Sequence, residues 1–473
     1  MNTEELEAAQ VASQGMGAQA SNGQGSNGQG VSGQGIGGQG SAQHVPGIRT
    51  WPPKIPRSPS FDETLALMRE GYGFLPRRFA DLDTPIFRTR LMLRDVICMT
   101  GPIAARLIYD DARLTRVGAM PQTVLRLLQD KGSVQQLDGA AHRHRKALFV
   151  RMLMEDREAL ERLVATFRRE FLERVPDWSR KGAVSLGREL DLILFRTALS
   201  WTQAPVDDAT LEDDAALTAD MIENAGHVGP RTFTTLFRRS QMEKRFRAAF
   251  REIRSGRRTP LPGSPMAMLA AYRDVHGALL TPTVAAVELI NLIRPIVAIG
   301  RYIVFAALRL ERHPQWKEIL AEPDAERLAD FAEEVRRISP FFPFVGAVAR
   351  ASFDWRGYRI RRGQWLMLDL YGSCHDGAVF RAPDEFRPGR GVRCDEEDYA
   401  FIPQGAGSTT RGHRCPGEMA TVEILKEAVR LLAGTIDYEV PEQDLSVSLT
   451  TVPTGPADGF VISGVRWREM ERV

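Results

Sequence analysis

The chain has 473 residues, of which 62 are lysine or arginine and 60 are aspartate or glutamate, and its formal net charge is +2 at pH 7. This balance excludes a general electrostatic argument for nucleic acid binding, and a hydrophobic content of 43% is ordinary for a globular protein. The four cysteines lie at positions 98, 374, 394 and 415 without a Cys-x-x-Cys spacing, so neither a zinc site nor a disulfide framework is predicted and a reducing, cytoplasmic compartment is favoured.

Residues 1–48 are predicted to be a disordered tail. Their first ten residues are acidic and polar, which argues against a secretory signal or an N-terminal membrane anchor. Residues 14–43 are rich in glycine, glutamine and serine, and such a composition buries too little surface to offset chain entropy. From about Trp51 the composition is globular to the end without a second linker, so residues 49–473 are predicted to form a single domain.

Helical periodicity dominates the globular part, for example in residues 61–75, 157–175 and 325–339. The clearest strand signal lies in residues 353–372, where two alternating runs flank Gly357. The predicted fold is therefore mainly α with a small β-sheet.

The longest predicted helix runs from about Thr281 to His313, with Thr281 as N-cap and Pro282 at the first helical position. Its apolar body is interrupted by Asn291, Arg294 and Arg301. Arginines are costly at the centre of a bilayer, so this segment is predicted to be a core helix.

Arg294-Pro295 in the middle of that helix breaks two local rules. Pro295 removes a helical donor and is expected to kink the helix at a cost of about 3 kcal/mol, and Arg294 places a charge in a core helix. Such violations tend to mark functional sites. The alternative is that Arg294 is partly exposed and pairs with a nearby glutamate.

Residues 401–418, FIPQGAGSTTRGHRCPGE, place Cys415 in a glycine-rich loop. The glycines allow a close approach of the backbone to a flat ligand. The basic residues Arg411, His413 and Arg414 are expected to lower the pKa of the Cys415 thiol and favour the thiolate. Cys415 is therefore a candidate metal ligand or nucleophile.

Two helical pairs precede this loop. His142 and Lys146 lie four residues apart on one face of a predicted helix, and Glu334 and Arg337 have the spacing of an intrahelical ion pair. Alone, the second pair would be read as decoration of a solvated helix face. A proline-rich meander, residues 375–390, connects the Glu-x-x-Arg helix to the cysteine loop.

Taken in this order, the motifs resemble the cytochrome P-450 superfamily. The resemblance spans nearly the whole chain after residue 50 and implies the cytochrome P-450 fold with haem b as cofactor. It implies that Cys415 is the proximal thiolate ligand of the iron and that His142, Lys146 and His413 contact the haem. By the same resemblance, Glu334 and Arg337 brace the core behind the haem.

Two departures narrow the resemblance. Ser408 stands where a phenylalanine usually precedes the cysteine by seven residues, and Arg294-Pro295 replace the acid–alcohol pair of oxygen-activating members. Both departures, together with residues 134–149 and 286–299, look like the bacterial fatty-acid peroxygenase branch. That branch uses hydrogen peroxide to hydroxylate long-chain fatty acids at the α or β carbon.

In this branch Arg294 would hold the substrate carboxylate, with Pro295 beside it, and the carboxylate would act as general base and then as general acid. Neither an obligatory redox partner nor integration into a membrane is expected. Gln135, Val228, Phe341 and Phe342 would line the substrate pocket. The alternatives are that Gln135 is an ordinary turn residue and that the phenylalanines are plain core.

Four other functions remain open from the sequence: decarboxylation to terminal alkenes, a reductase-dependent monooxygenase, a haem sensor without turnover, and isomerisation of fatty-acid hydroperoxides. Gln135 favours hydroxylation over decarboxylation, because resemblance links a histidine there to alkene formation. The missing acid–alcohol pair counts against the monooxygenase. Neither the sensor nor the isomerase explains an arginine at the substrate position.

Overall fold

The computed structural model describes residues 54–110, 112–227, 229–322, 324–393 and 399–468. Residues 52–473 form one compact unit. The predicted tail, residues 1–48, and Val228 lie outside the described residues, so the disorder of the tail and the pocket role of Val228 stay predictions.

Helices make up most of the described chain. They are α1 (Thr64–Glu70), α2 (Phe74–Asp81), α3 (Pro102–Asp110), α4 (Gln122–Leu128), α5 (Gly139–Val150), α6 (Arg157–Lys181), α7 (Leu186–Thr202), α8 (Leu211–Glu223), α9 (Pro230–Arg254), α10 (Pro265–Ala271), α11 (Pro282–Arg312), α12 (Pro314–Ile319), α13 (Ala325–Ile338), α14 (Leu370–Cys374) and α15 (Glu418–Arg430). Short 3₁₀ turns cover Val134–Gln136 and Asn224–Gly226.

The strands form three small sheets. They are β1 (Ile86–Leu91), β2 (Arg94–Met99), β3 (Leu114–Thr115), β4 (Ala183–Ser185), β5 (Phe344–Ala349), β6 (Phe353–Trp355), β7 (Tyr358–Ile360), β8 (Trp365–Asp369), β9 (Ile436–Glu439) and β10 (Val461–Trp467). The largest sheet has the order β1-β2-β8-β5-β3, in which β2 and β8 are parallel with Val96 opposite Trp365. The other two sheets have the orders β4-β10-β9 and β6-β7.

Helix α11 forms the centre of the main hydrophobic core, with α6, α7, α9 and α15 around it. It begins as predicted, because the Thr281 side chain accepts a hydrogen bond from Val284 N at 3.2 Å and Pro282 follows the cap. Among the described residues α11 alone is long and apolar enough to cross a membrane by length and composition, and 83% of its most apolar window is buried inside the protein. The prediction of a core helix is confirmed.

The mainly helical fold is confirmed, and the predicted hairpin appears as β6 and β7, with Arg356 and Gly357 at positive φ in its turn. Strands β1, β2 and β5, which carry most of the largest sheet, had no prediction from the sequence. This sheet and its own hydrophobic cluster lie beside the cysteine loop, whose Phe401, Ile402 and Ala406 belong to that cluster.

Candidate active site

The cysteine loop is held in a tight conformation in front of α15. Cys415 N donates to Gln404 O at 3.1 Å, and the Gln404 side-chain nitrogen lies 3.8 Å from Cys415 Sγ. Gly405 has φ of +103°, and a side chain there would collide with the ring of Tyr109. Gly405 therefore serves a tight turn and the close approach of a protein side chain, and the predicted approach of the loop to a flat ligand stays a prediction.

The expected low pKa of Cys415 is wrong for the protein alone. Burial raises the pKa of the Cys415 thiol, and the Glu418 carboxylate adds to the rise. The basic neighbours do not compensate, because Arg414 is bonded to Glu418 at 2.6 Å and Arg411 is exposed. A thiol in this setting becomes a thiolate through coordination of a metal ion, which deprotonates the sulfur directly.

Behind the loop, Glu334 and Arg337 form a buried ion pair on α13. Two parallel hydrogen bonds of 2.8 Å join the guanidinium of Arg337 to the carboxylate of Glu334, and both side chains are at most 2% exposed. Arg337 also donates to the carbonyls of Cys374 and Glu385, while Glu334 accepts from Arg387 N and Arg390 Nε. The pair thus fastens the meander to the core, and the reading as a solvated surface pair is wrong.

A second buried network links α13 directly to the cysteine loop. Arg336 is bonded to Glu333, Glu418 and the Gln404 side chain. Gln404 in turn donates to Thr421 at 3.1 Å and approaches the Cys415 sulfur. Charged hydrogen bonds of this kind are among the strongest in proteins, so the network fixes where the sulfur points.

His142, Lys146 and His413 are brought together, as the resemblance implies. The rings of His142 and His413 lie 4.1 Å apart between centroids. Burial lowers the pKa of His142 to about 4 and also lowers that of His413, with nearby cations adding to both effects. Lys146 donates to the carbonyl oxygens of Gly412 and Arg414, and burial lowers its pKa to about 8. Lys146 therefore anchors the cysteine loop to α5.

On α11, Arg294 is buried without an anionic partner. It is 6% exposed, and among the described residues it donates a hydrogen bond to a carbonyl, Leu128 O, at the end of α4. No carboxylate lies within ion-pair distance of it among the described residues, and its Nε has no hydrogen-bond partner there. Burial, aided by the like charge of Arg239, lowers the pKa of Arg294 to about 9. The alternative of a partly exposed arginine paired with a glutamate is wrong.

Residues one and two turns before Arg294 hold the loop that follows α4. Asn291 Nδ2 donates to Gln129 O at 3.0 Å and to the Glu288 carboxylate at 3.3 Å. Glu288 is paired at 3.2 Å with Arg145, which also donates to Gly132 O at 2.6 Å. These hydrogen bonds of Asn291, Glu288 and Arg145, which we call the ladder, position the turn that carries Gln135. The buried side-chain oxygen of Gln135 has no partner among the described residues.

Phe341 and Phe342 lie between α13 and β5. Phe341 stacks on Tyr302 of α11 with ring centroids 4.3 Å apart, and Phe342 meets Phe341 edge-on and is 41% exposed. Phe341 is thus packed against the core around α11, while Phe342 faces outward. Their predicted contact with substrate stays a prediction.

The residues present fit a haem. Cys415 would supply one sulfur ligand. Beside its loop lie His142 and His413, and Lys146, Arg116 and Arg350 are close enough to lower the pKa of His413. Near Arg294, the buried polar atoms without a partner among the described residues include Gln135 Oε1, Asn291 Oδ1 and Arg294 Nε itself. Orphaned polar atoms of this kind call for a ligand or ordered water between the loop and α11.

Comparison with known proteins agrees with this reading. The family model for Cytochrome P450 matches residues 326–433, from α13 through the cysteine loop. The solved structure of cytochrome P450SP alpha (CYP152B1) shares 37% sequence identity, with a TM-score of 0.82 over 86% of this chain and 99% of that one. The chain belongs to the cytochrome P450 family.

Within this P450 family the chain falls in the CYP152 branch. Cytochrome P450EX alpha (CYP152N1), solved with myristic acid, is 32% identical with a TM-score of 0.83 over 88% of this chain and all of that one. Epothilone C/D epoxidase of Sorangium cellulosum is 32% identical over 197 residues, so the match spans 40% of this chain and 42% of that relative. The P450 is therefore an oxidoreductase with haem b as its cofactor.

Several residues of this P450 site were missed in the sequence. Gln404 and Arg336 give no motif of their own. Arg390 is one of several arginines in a basic meander, and Glu288 is a lone charge in an apolar run. Only Glu288 carried a usable signal, because an acid seven residues after the helix cap in an apolar stretch requires a buried partner.

Proposed function

We propose that this P450 uses hydrogen peroxide to hydroxylate long-chain fatty acids at the α or β carbon. The observation that carries the proposal is the buried guanidinium of Arg294, which has no carboxylate partner among the described residues. A buried charge is retained at a cost of several kcal/mol unless a counter-charge arrives. A substrate carboxylate supplies that charge, and the planar fork of an arginine suits its two oxygens.

The length of the substrate is proposed from the structural neighbours. P450EX alpha was solved with myristic acid. A chain fixed by its head group beside the haem presents its first carbons to the reacting centre, so the position of hydroxylation follows from Arg294.

The haem, when bound, supplies the redox chemistry of oxygen insertion. The protein holds the substrate carboxylate on Arg294, and the carboxylate carries out the proton transfers. Pro295 has neither a hydroxyl nor an N–H, so it cannot relay a proton as an alcohol side chain would. The held carboxylate accepts a proton from peroxide and returns it to the departing oxygen.

Other side chains shape the pocket in this proposal. Gln135 can donate or accept a hydrogen bond but does not titrate. Its side-chain oxygen has no partner among the described residues, which supports a contact with peroxide or with substrate. Phe341, which packs on Tyr302, and the more exposed Phe342 are proposed to contact the substrate chain.

The test is turnover without any reductase. The purified haem-loaded protein is incubated with myristic acid and dilute hydrogen peroxide, and the products are identified by mass spectrometry. We expect 2- and 3-hydroxymyristic acid. A terminal alkene as main product would replace hydroxylation by decarboxylation, and product formed only with an electron-transfer system would overturn peroxide use.

A further inference from the structure

A group of large apolar side chains is exposed around the first helix. Leu65 and Met68 lie one turn apart on α1 and are 66% and 55% exposed, and Phe61, three residues before the helix, is 71% exposed. Soluble proteins seldom gather such residues on one surface without a function.

The turn between β1 and β2 extends this surface. Met92 and Leu93 are 44% and 72% exposed. Met92 N donates to the Thr64 hydroxyl at 2.5 Å, and Leu93 N donates to the Asp62 carboxylate at 2.7 Å. These two bonds hold the turn against the start of α1, so the five apolar residues form one continuous patch, which we call the apolar face.

The residues that follow α1 contact a loop of the C-terminal region, which contains Leu449. Tyr72 N donates to Leu449 O at 2.8 Å, and the Leu449 side chain is 37% exposed. Three residues further along this loop, Val452 O lies so close to Gly226 that no side chain fits there. Helix α9 begins just beyond, with Phe233 and Phe237 one turn apart and 63% and 66% exposed.

The surroundings of the apolar face are basic. Arg69, Arg77 and Arg94 are exposed at its edges. Helix α9 adds the exposed basic residues Arg231, Lys244 and Arg251, whereas its Arg239 is buried. Apolar side chains surrounded by arginines are the chemistry that recognises an anionic lipid surface, where the apolar tips insert and the guanidinium groups meet the headgroups.

We propose that this P450 docks on anionic membranes through the apolar face. The proposed membrane binding is argued from the exposed residues alone. Its purpose, access to fatty acid that partitions into lipid, rests on the proposed function. In this peripheral mode of binding only exposed side chains enter the lipid, and α11 stays in the hydrophobic core of the protein. A second copy fits less well, because a two-fold contact here would oppose arginines to arginines. The N-terminal tail also fits poorly, since residues 14–43 have only Met16, Val31 and Ile36 as large apolar residues.

The experiment measures sedimentation of the full-length haem-loaded protein with vesicles of phosphatidylcholine, with and without phosphatidylglycerol. We expect binding to the anionic vesicles. In the double variant Leu65→Glu, Leu93→Glu, affinity should fall on the order of 30-fold, since two inserted leucines contribute roughly 1 kcal/mol or more each. Leu261→Glu is the matched control, because Leu261 is 61% exposed on a loop outside the apolar face, and it should bind as wild type.

Three results would overturn the proposal: no vesicle binding by the wild type, binding by the double variant equal to wild type, or a dimer in light scattering that the double variant abolishes in the absence of lipid. If a variant lacking residues 1–53 binds vesicles and the full chain does not, the tail and not a membrane covers the apolar face in the full chain. Peroxide-driven turnover of detergent-dispersed myristic acid separates the two proposals. Vesicle binding without such turnover would sink only the proposed function, and turnover without vesicle binding only the docking surface.

Discussion

Two buried arginines on neighbouring core helices have opposite surroundings. Arg337 on α13 is 1% exposed. It donates two hydrogen bonds to the Glu334 carboxylate and one to each of two backbone carbonyls. Arg294 on α11 is 6% exposed and bonds only a carbonyl among the described residues. The first arginine is satisfied by the protein itself, and the second is left for a ligand.

The two sites differ in how many of their buried polar atoms have a hydrogen-bond partner. This difference distinguishes a structural site from a binding site. Behind the cysteine loop, Arg336, Arg337 and Glu334 leave little polar capacity for anything else. Arg294 Nε and the nearby Gln135 Oε1 and Asn291 Oδ1 are buried without a partner in the part of the chain that the structure describes. A protein bears such a cost where binding requires it.

The largest expected effect lies on the satisfied side. Glu334→Ala leaves the buried guanidinium of Arg337 and the partly buried guanidinium of Arg390 without a carboxylate. We expect the free energy of unfolding to fall by about 3–5 kcal/mol, with loss of bound haem. Chemical unfolding and the haem spectrum measure both. Glu161→Ala, which breaks an exposed pair with Arg157, should change stability by less than about 0.5 kcal/mol. Equal stability of wild type and Glu334→Ala would remove the structural role.

Arg294→Met should show the reverse pattern. Stability should stay within about 1 kcal/mol of wild type or rise, because an unpaired buried charge is replaced by an apolar chain. Fatty-acid turnover should fall about 100-fold or more through loss of a charged bidentate contact. Arg309→Met, further along the same helix, should keep most of the activity. A large loss of stability in Arg294→Met would make the two arginines alike and contradict the comparison.

Glu288 tests the ladder beside Arg294 through pH. Burial raises the pKa of Glu288 to about 7 from 4.5, although Arg145 opposes the rise. Below pH 4.5 the group is protonated in both states, and between 4.5 and 7 the folded state keeps a proton that the unfolded state has lost. The wild type therefore loses stability relative to Glu288→Gln as pH rises through this window, by at most about 3 kcal/mol.

Unfolding curves of both proteins between pH 4 and 8 check this prediction. Above pH 7 the difference between them should be constant. Glu161→Gln, an exposed acid, serves as control and should follow the wild type at every pH. A difference that shrinks as pH rises would mean that Arg145 outweighs burial.

The smallest expected effect concerns Gln135. A histidine at this position can donate a proton, which glutamine cannot. Gln135→His should raise the ratio of alkene to hydroxy acid a few-fold with little change in total turnover, as gas chromatography of the products would show. Gln136→His is the control, since the Gln136 amide is already bonded to Gln129 at 3.0 Å. An unchanged ratio in Gln135→His would return Gln135 to an ordinary turn residue.

The helical parts of the fold were predictable because their signals are local. Thr281 and Pro282 mark the start of α11, and periodic apolar residues mark α6 and α13. Of the largest sheet, only β8 lies within residues 353–372, where strands were predicted. Strands β1, β2 and β5 were not predicted, and β2, which pairs with β8 in parallel, lies far before it in sequence, so no turn connects the two.

In the site, single residues that break a local rule were predictable and networks were not. Arg294 and Cys415 stand out because of what surrounds them in sequence. Gln404 and Arg390 matter through bonds to residues 68 and 56 positions away, which no local pattern records. The pKa of Cys415 was predicted in the wrong direction, because neighbouring charges are visible in sequence while burial and the pairing of Arg414 with Glu418 are not.

The most direct test of the central claim compares an acid with a neutral ligand of the same length. The haem absorption of wild type and Arg294→Met is titrated with myristic acid and with methyl myristate. We expect the wild type to prefer the acid by about 100-fold, and the variant to bind both equally weakly. An acid preference that survives in Arg294→Met would show that another group holds the carboxylate and would contradict the assignment of Arg294.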